Sequence, residues 1–171
     1  MVSAGWAFRR LPASLRASAT DQVNRFQVDS LADLVESLLP DGGAVGILGL
    51  SYKPDTAVVE ESQGLILAQH LIERNVPVLL YDPQAMENAR AALQGPARFA
   101  DSASDCVRGA DVVVITTPWK EFTDLSPATL ARSGPRRALV DCWRILERAE
   151  YEPMCDYMEL GVGREPEGRV G

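Results

Sequence analysis

The chain is built from short, unbroken apolar runs separated by amphipathic stretches. Ala44 to Leu50 (AVGILGL), Pro77 to Leu80, Asp111 to Thr116 (DVVVIT) and Arg137 to Asp141 (RALVD) are each bounded by glycine, proline or an acid. Runs of that length and composition predict strands buried on both faces, the signature of a parallel sheet. The stretches between them follow a helical period. Leu31, Leu34, Val35, Leu38 and Leu39 recur at i, i+3, i+4, i+7 and i+8. Leu11, Leu15, Ala19, Val23 and Phe26 extend the stripe upstream, so one helix is expected from Ala13, just after Pro12, to about Leu39. At about 1.5 Å per residue it would run roughly 40 Å. A small sheet cannot cover that length, so the N-terminal half is expected to pack on something else, most simply a second copy of the chain. A break at Thr20-Asp21, a reasonable cap pair, is the alternative.

Pro40-Asp41-Gly42-Gly43 turns the chain into the first strand. A helix from Glu60 to Asn75 follows, with Leu65, Ala68, Leu71 and Ile72 inward and Glu60 and Glu61 in its first turn, where the helix dipole favours acids. His70 is expected on its solvated flank. A helix over 84–94, a short strand over 97–100, a brief helix capped by Ser102 or Ser104 and ending at Gly109, and another capped by Ser126 complete the pattern. The strand at 137–141 is expected to be the last. Beyond Glu150 the Glu-, Gly- and Pro-rich tail is expected to be loosely ordered.

Alternation of strands and helices predicts an α/β fold: a Rossmann-like, doubly wound parallel sheet of about five strands preceded by a long helix. Three segments are expected: a helical arm over 1–40, the sheet domain over 41–150 and a flexible tail over 151–171. Strand ends then bring Tyr52-Lys53, Asp82, Trp119 and Arg144 to one rim, the edge where ligands bind in open α/β sheets. Lys53 stands where the first strand gives way to Pro54. Beside a turn with free N–H groups it suits a phosphate or carboxylate; a surface lysine paired with a nearby acid is the other reading. Asp82 admits two readings as well, a contact to a ribose hydroxyl or a helix cap before Pro83.

Charge and composition narrow the chemistry. A formal charge of −7 and a pI near 4.8 argue against a nucleic-acid or anionic-membrane surface. No apolar run approaches a membrane span, and the Arg- and Ser-containing, acid-free first twenty residues, which faintly resemble an organelle transit peptide, read better as the start of an amphipathic helix, so a cytoplasmic protein is expected. Cys106, Cys142 and Cys155 lack CxxC spacing and His70 is the sole histidine, so neither a Cys/His metal site nor a histidine-based triad is expected. Cys142 is read as a packed thiol, and no catalytic residue is assigned. A dinucleotide site needs G-x-G-x-x-G after the first strand. Here Gly46 and Gly49 lie inside the strand, while Tyr52 and Lys53 fill the turn and Glu60 and Glu61 would repel a pyrophosphate. Tight NAD binding by this domain alone is not expected.

The run ILGLSYKPDTAVVEES, then VPVLLYDPQA, then ADVVVITTPWKEF, resembles the C-terminal domain of the UDP-glucose/GDP-mannose dehydrogenase family, whose pattern reads approximately LGLAFKPNTDDxRES, VxxYDP, ADxxVxxTxWxEF and a closing VxDGRN. Val23-Asn24-Arg25-Phe26-Gln27 resembles the end of that family's central dimerisation helix. The resemblance implies a nucleotide-sugar-binding domain. In the family's full-length enzymes an N-terminal Rossmann domain holds NAD and a cysteine forms a thioester as the sugar's primary alcohol is oxidised to the acid. It further implies that Tyr52 and Lys53 contact the nucleotide sugar, with Asp55, Thr56, Trp119 and Arg144 around them. Two departures fall beside the implied ligand. Ala57, Val58 and Glu60 stand where the family has two acids and an arginine, and Asp141-Cys142-Trp143-Arg144 stands for Asp-Gly-Arg-Asn, which moves the arginine by one position.

Two functions follow as expectations. The first is a UDP-sugar-binding domain that is not competent for NAD-dependent oxidation alone and pairs with an N-terminal dehydrogenase domain. The second is a degenerate stand-alone homologue, a structural or regulatory module that dimerises through residues 13–39, with a full-length relative as partner.

Overall fold

The structure, a computed structural model, describes residues 27–160. Its first element is helix α1 over 27–38. The upstream part of the expected long helix and the alternative break at Thr20-Asp21 lie outside the described residues. Strands β1 (Val45–Leu48), β2 (Val78–Tyr81), β3 (Arg98–Phe99), β4 (Val112–Ile115), β5 (Ala138–Asp141) and β6 (Asp156–Glu159) form one sheet in the order β3-β2-β1-β4-β5-β6. Every pairing is parallel and in register, Val45 facing Val78 on one side and Val112 on the other. β1 and β4 are buried throughout, as expected of central strands covered on both faces.

Helices α2 (Gln63–Glu73) and α3 (Met86–Ala92) join α1 on one face, around Ile47, Leu80, Val114 and Val140. The chain then crosses from the β3 edge, past β1, to β4. The crossover helix α4 (Ala103–Arg108) and, after β4, α5 (Lys120–Thr123), a 3-10 turn (Pro127–Leu130) and α6 (Arg148–Tyr151) cover the opposite face, around Leu48, Val113, Ile115 and Leu139. The reversal of strand order therefore falls between β1 and β4, the switch point at which ligands enter such sheets.

Several elements differ from the sequence expectation. The sheet has six strands, not about five. Residues 151–160 are not a loose tail: Tyr151 and Tyr157 are buried and β6 pairs with β5 along its length. Helix α2 starts at Gln63, not Glu60, because Ser62 caps it, its Oγ accepting from Leu65 N at 3.3 Å, while Glu61 takes a left-handed φ of 59° that no helix continues. Glu60 and Glu61 are therefore outside the helix, and its first turn carries no acid. Leu67 is fully buried, whereas Leu65 is only partly so. Ser102 caps α4 as expected, its Oγ accepting from Asp105 N. Ser126 precedes a 3-10 turn and makes no side-chain cap bond. His70 faces Asp29 on α1, with Nδ1 3.0 Å from the carboxylate.

The described part of α1 is spent on the domain itself. Val28, Leu31, Ala32 and Val35 belong to the core that includes Ala138 and Val140. At its surface Arg74 donates to Asp33 and Glu36, exposed bonds that fix orientation more than they add stability.

Candidate functional site

Two buried aspartates organise the carboxyl edge of the sheet. Asp82, directly after β2, is 1% exposed. Its Oδ2 accepts from Leu50 N (2.8 Å), Ser51 N (3.0 Å), Ser51 Oγ (3.0 Å) and Trp119 Nε1 (3.1 Å). Its Oδ1 accepts from Gln84 N and Ala85 N, which shapes the turn into α3. Asp82 is thus a strut that anchors the exit of β1. Its helix-cap reading is not met, since Ala85 is the N-cap of α3 and no side chain caps that helix; Asp82 instead holds the turn ahead of it, with the β1 exit as an additional load. Asp141, the last residue of β5, is fully buried. It accepts from Trp143 N, Leu146 N and Tyr157 Oη, folding the next loop tightly over the strand end.

Between these struts, β4 ends in two threonines whose hydroxyls stitch it to β1. Thr116 Oγ1 donates to Gly49 O at 2.6 Å and Thr117 Oγ1 to Ser51 O at 2.9 Å. Gly49 sits at φ 108°, and a Cβ there would meet Thr117 at 2.6 Å. At the start of α2, a Cβ on Gly64 would collide with Gly49 O and Thr116 Oγ1. The helix therefore abuts the end of β1 without a gap.

The residues open to ligand stand above this closed floor. Tyr52 is 56% exposed and Lys53 projects beside it. Among the described residues Lys53 has no ion-pair partner. Their loop is closed by Tyr52 N donating to Val58 O at 2.8 Å. It is shaped by Asp55 at φ 60° and by Thr56, whose Oγ1 accepts from Val58 N. Asn88 Nδ2 donates to Ala57 O and ties the loop to α3. Across β4, Trp143 is 55% exposed, yet its Nε1 is held by Thr116 O at 2.8 Å. Arg144, at φ 55°, donates through Nη2 to Leu160 O.

The sequence-predicted residues thus separate into two tiers. Tyr52, Lys53, Asp55, Thr56 and Arg144 share the rim. Trp119 lies beneath it, 6% exposed, with its indole N–H committed to Ser51 Oγ and Asp82. Reasoning from sequence missed Ser51, Thr116, Thr117 and Asp141, which build the floor. An acid or hydroxyl at the end of each apolar run was the available signal. Cys142 is half-buried, and desolvation, reinforced by the Asp141 charge, pushes its thiol up to about 12. That is a packed thiol and not a nucleophile at neutral pH. Among the described residues no group of acids, cysteines and histidine can hold a metal ion. Among them, too, no helix is long and apolar enough to cross a membrane.

Comparison with known proteins agrees with this architecture. Residues 46–148 match the model of the UDP-glucose/GDP-mannose dehydrogenase family, UDP binding domain. The chain is 34% identical over 140 residues to the UDP-glucose 6-dehydrogenase AglM of Haloferax volcanii, covering 81% of this chain and 31% of that protein. It is 36% identical over 100 residues to a UDP-glucose 6-dehydrogenase of Rickettsia conorii, 58% of this chain and 23% of the relative. Among solved structures, a UDP-glucose dehydrogenase from Pyrobaculum islandicum superposes with a TM-score of 0.65 at 27% identity, over 83% of this chain and 31% of the other. The match therefore spans about a quarter to a third of the length of such relatives. With the motif order, the parallel sheet and the family match in agreement, this chain belongs to the UDP-glucose/GDP-mannose dehydrogenase family and carries its C-terminal, UDP binding domain.

Proposed function

We propose that the chain binds the nucleotide of a UDP-sugar at the carboxyl rim of its sheet, as one part of an NAD-dependent nucleotide-sugar dehydrogenase in the cytoplasm. Lys53 neutralises the phosphates. Tyr52 packs on the ligand, Asp55 and Thr56 offer polar contacts from the same loop, and Arg144 borders the far side. Trp119 contributes indirectly, by holding Ser51 in place. The observation that carries this reading is an exposed Lys53, with no ion-pair partner among the described residues, on a loop fixed from below by Asp82, in a chain of net charge −7. Hydride acceptance and the thioester-forming cysteine belong to an N-terminal dehydrogenase domain, as the family resemblance implies for the full-length enzymes.

The test is a thermal-shift panel with UDP, UDP-glucose, UDP-glucuronate, GDP-mannose and NAD. Ligand at a few times its Kd stabilises by roughly 1 kcal/mol, which raises Tm by about 2–4 °C in a domain of this size. A shift with UDP ligands that Lys53→Ala abolishes supports the proposal. A flat response to every uridine nucleotide overturns it.

A second reading, a structural or regulatory homodimer formed through residues 13–39 that docks a full-length relative, is favoured by Glu60 and Trp143, which stand where the family pattern has other residues. The apolar face of α1 over 27–38 is already occupied by the sheet, so such a contact falls to residues 13–26. Sedimentation of the chain against a variant lacking residues 1–26 decides it: a dimer that becomes a monomer supports this reading, and a monomer in both refutes it.

A further inference from the structure

Trp143 is the largest apolar side chain left open on the rim, and it is not a loose one. Asp141 Oδ1 accepts its backbone N–H at 3.0 Å, Thr116 O accepts its indole N–H at 2.8 Å, and Arg144 takes the left-handed conformation needed to turn the chain immediately after it. Both polar ends of the residue are therefore satisfied by the protein, while 55% of its surface faces solvent. An aromatic ring fixed at its polar edge and bare on its face is preorganised for stacking. Its position adds to this. Trp143 is anchored to Thr116, and the loop bearing Tyr52 and Lys53 is anchored through Ser51 O to Thr117, the next residue along. The two loops leave β5 and β1, the neighbours of β4 on either side. Two strand spacings, roughly 10 Å, separate them, a distance that an extended nucleoside diphosphate bridges.

The geometry points to Trp143 as a stacking platform for the base of the nucleotide, with the phosphates at Lys53. This assignment rests on the nucleotide-binding reading above and goes further, since it gives the base a defined seat and turns a departure from the family pattern into a ligand contact. Base–aromatic stacking tolerates any base because each presents a π-face. The platform therefore supplies affinity, and the choice of uracil over guanine falls to other groups.

The experiment is calorimetric titration of the full chain, its Trp143→Leu and Trp143→Phe variants, and Lys53→Ala, with UDP and with inorganic pyrophosphate. Stacking predicts that Trp143→Leu weakens UDP binding roughly tenfold and leaves pyrophosphate binding unchanged. Trp143→Phe, which keeps a ring but loses the anchoring N–H, is expected to stay within about threefold of the parent. Lys53→Ala weakens both ligands. Parent-like UDP affinity in Trp143→Leu overturns the assignment while the nucleotide-binding reading stands. Equal losses for Leu and Phe overturn it too, because the anchor and not the ring face would then matter. No UDP binding by the parent chain removes both.

Discussion

Asp82 receives hydrogen bonds from three elements at once: the β1 exit through Leu50 and Ser51, the α3 approach through Gln84 and Ala85, and Trp119 before α5. Removing the carboxylate strands these donors in a dry site, and each unpaired group costs about 1–3 kcal/mol. Asp82→Ala is therefore expected to destabilise the chain by about 3 kcal/mol or more, a fall in Tm of roughly 6–12 °C, measured by thermal unfolding. Asp82→Asn, which keeps one acceptor oxygen, should lose less. The thiols illustrate the opposite case, groups that burial disarms. Desolvation pushes Cys106 and Cys142 up to about 12 and Cys155 to about 11. Alkylation by iodoacetamide at neutral pH is accordingly expected to be slow for all of them in the native chain and to become fast in denaturant; rapid native labelling of Cys142 would contradict the packed-thiol assignment.

At the scale of elements, the base of the sheet is pinned as its rim is. Asp111 precedes β4 and accepts from Arg132 Nη1 at 2.6 Å and from Ala44 N at 2.9 Å, joining the entries of β4 and β1 to the loop before β5. The Arg132 bond first, and then the Ala44 N–H, hold its carboxyl below the usual carboxylate range. A depressed folded pKa means that the stabilisation is present above the unfolded value of about 3.9 and is lost as pH falls through the folded value. Asp111→Asn should thus lower stability at pH 7, and the gap from the parent should close on acidification below that range in urea titrations at several pH values. The central elements were legible in the sequence because β1, β2 and β4 are apolar along their length, β5 is apolar up to its closing Asp141, and α2 keeps a helical period. β6 was not. As an edge strand it buries Tyr157 and leaves Asp156 exposed, and a short alternating segment after Pro153 and Cys155 gives no buried-strand signal. The start of α2 was misjudged for a local reason, since Ser62 and Glu60 are both acceptable helix openers by composition and only the left-handed backbone at Glu61 decides between them. At the site, the rim was legible from where the strands end. The floor was legible only at Asp82; Ser51, Thr116, Thr117 and Asp141 are polar, and a hydropathy pattern reads polar residues as surface.

Taken as a whole, the molecule extends past the boundary at Glu150 that composition suggested. β6 and α6 close the second core, with Tyr157 Oη donating to Asp141 and to Leu146 O and Tyr151 Oη donating to Leu125 O. A chain ending at Glu150 is expected to lose its cooperative unfolding transition, whereas one ending at Leu160 keeps it, as circular dichroism melts would reveal. The same arrangement bears on the domain's history. Asp82 and Asp141 occupy positions that are acidic in the family pattern, while Ala57, Val58, Glu60 and Trp143 are where this chain departs from it. These four side chains lie outward of the struts, while Cys142, which replaces a glycine of the pattern, packs against the core. Substitutions in those loops are therefore released from the demands of folding, and ligand preference can drift from one lineage to the next on a backbone that does not have to be reinvented.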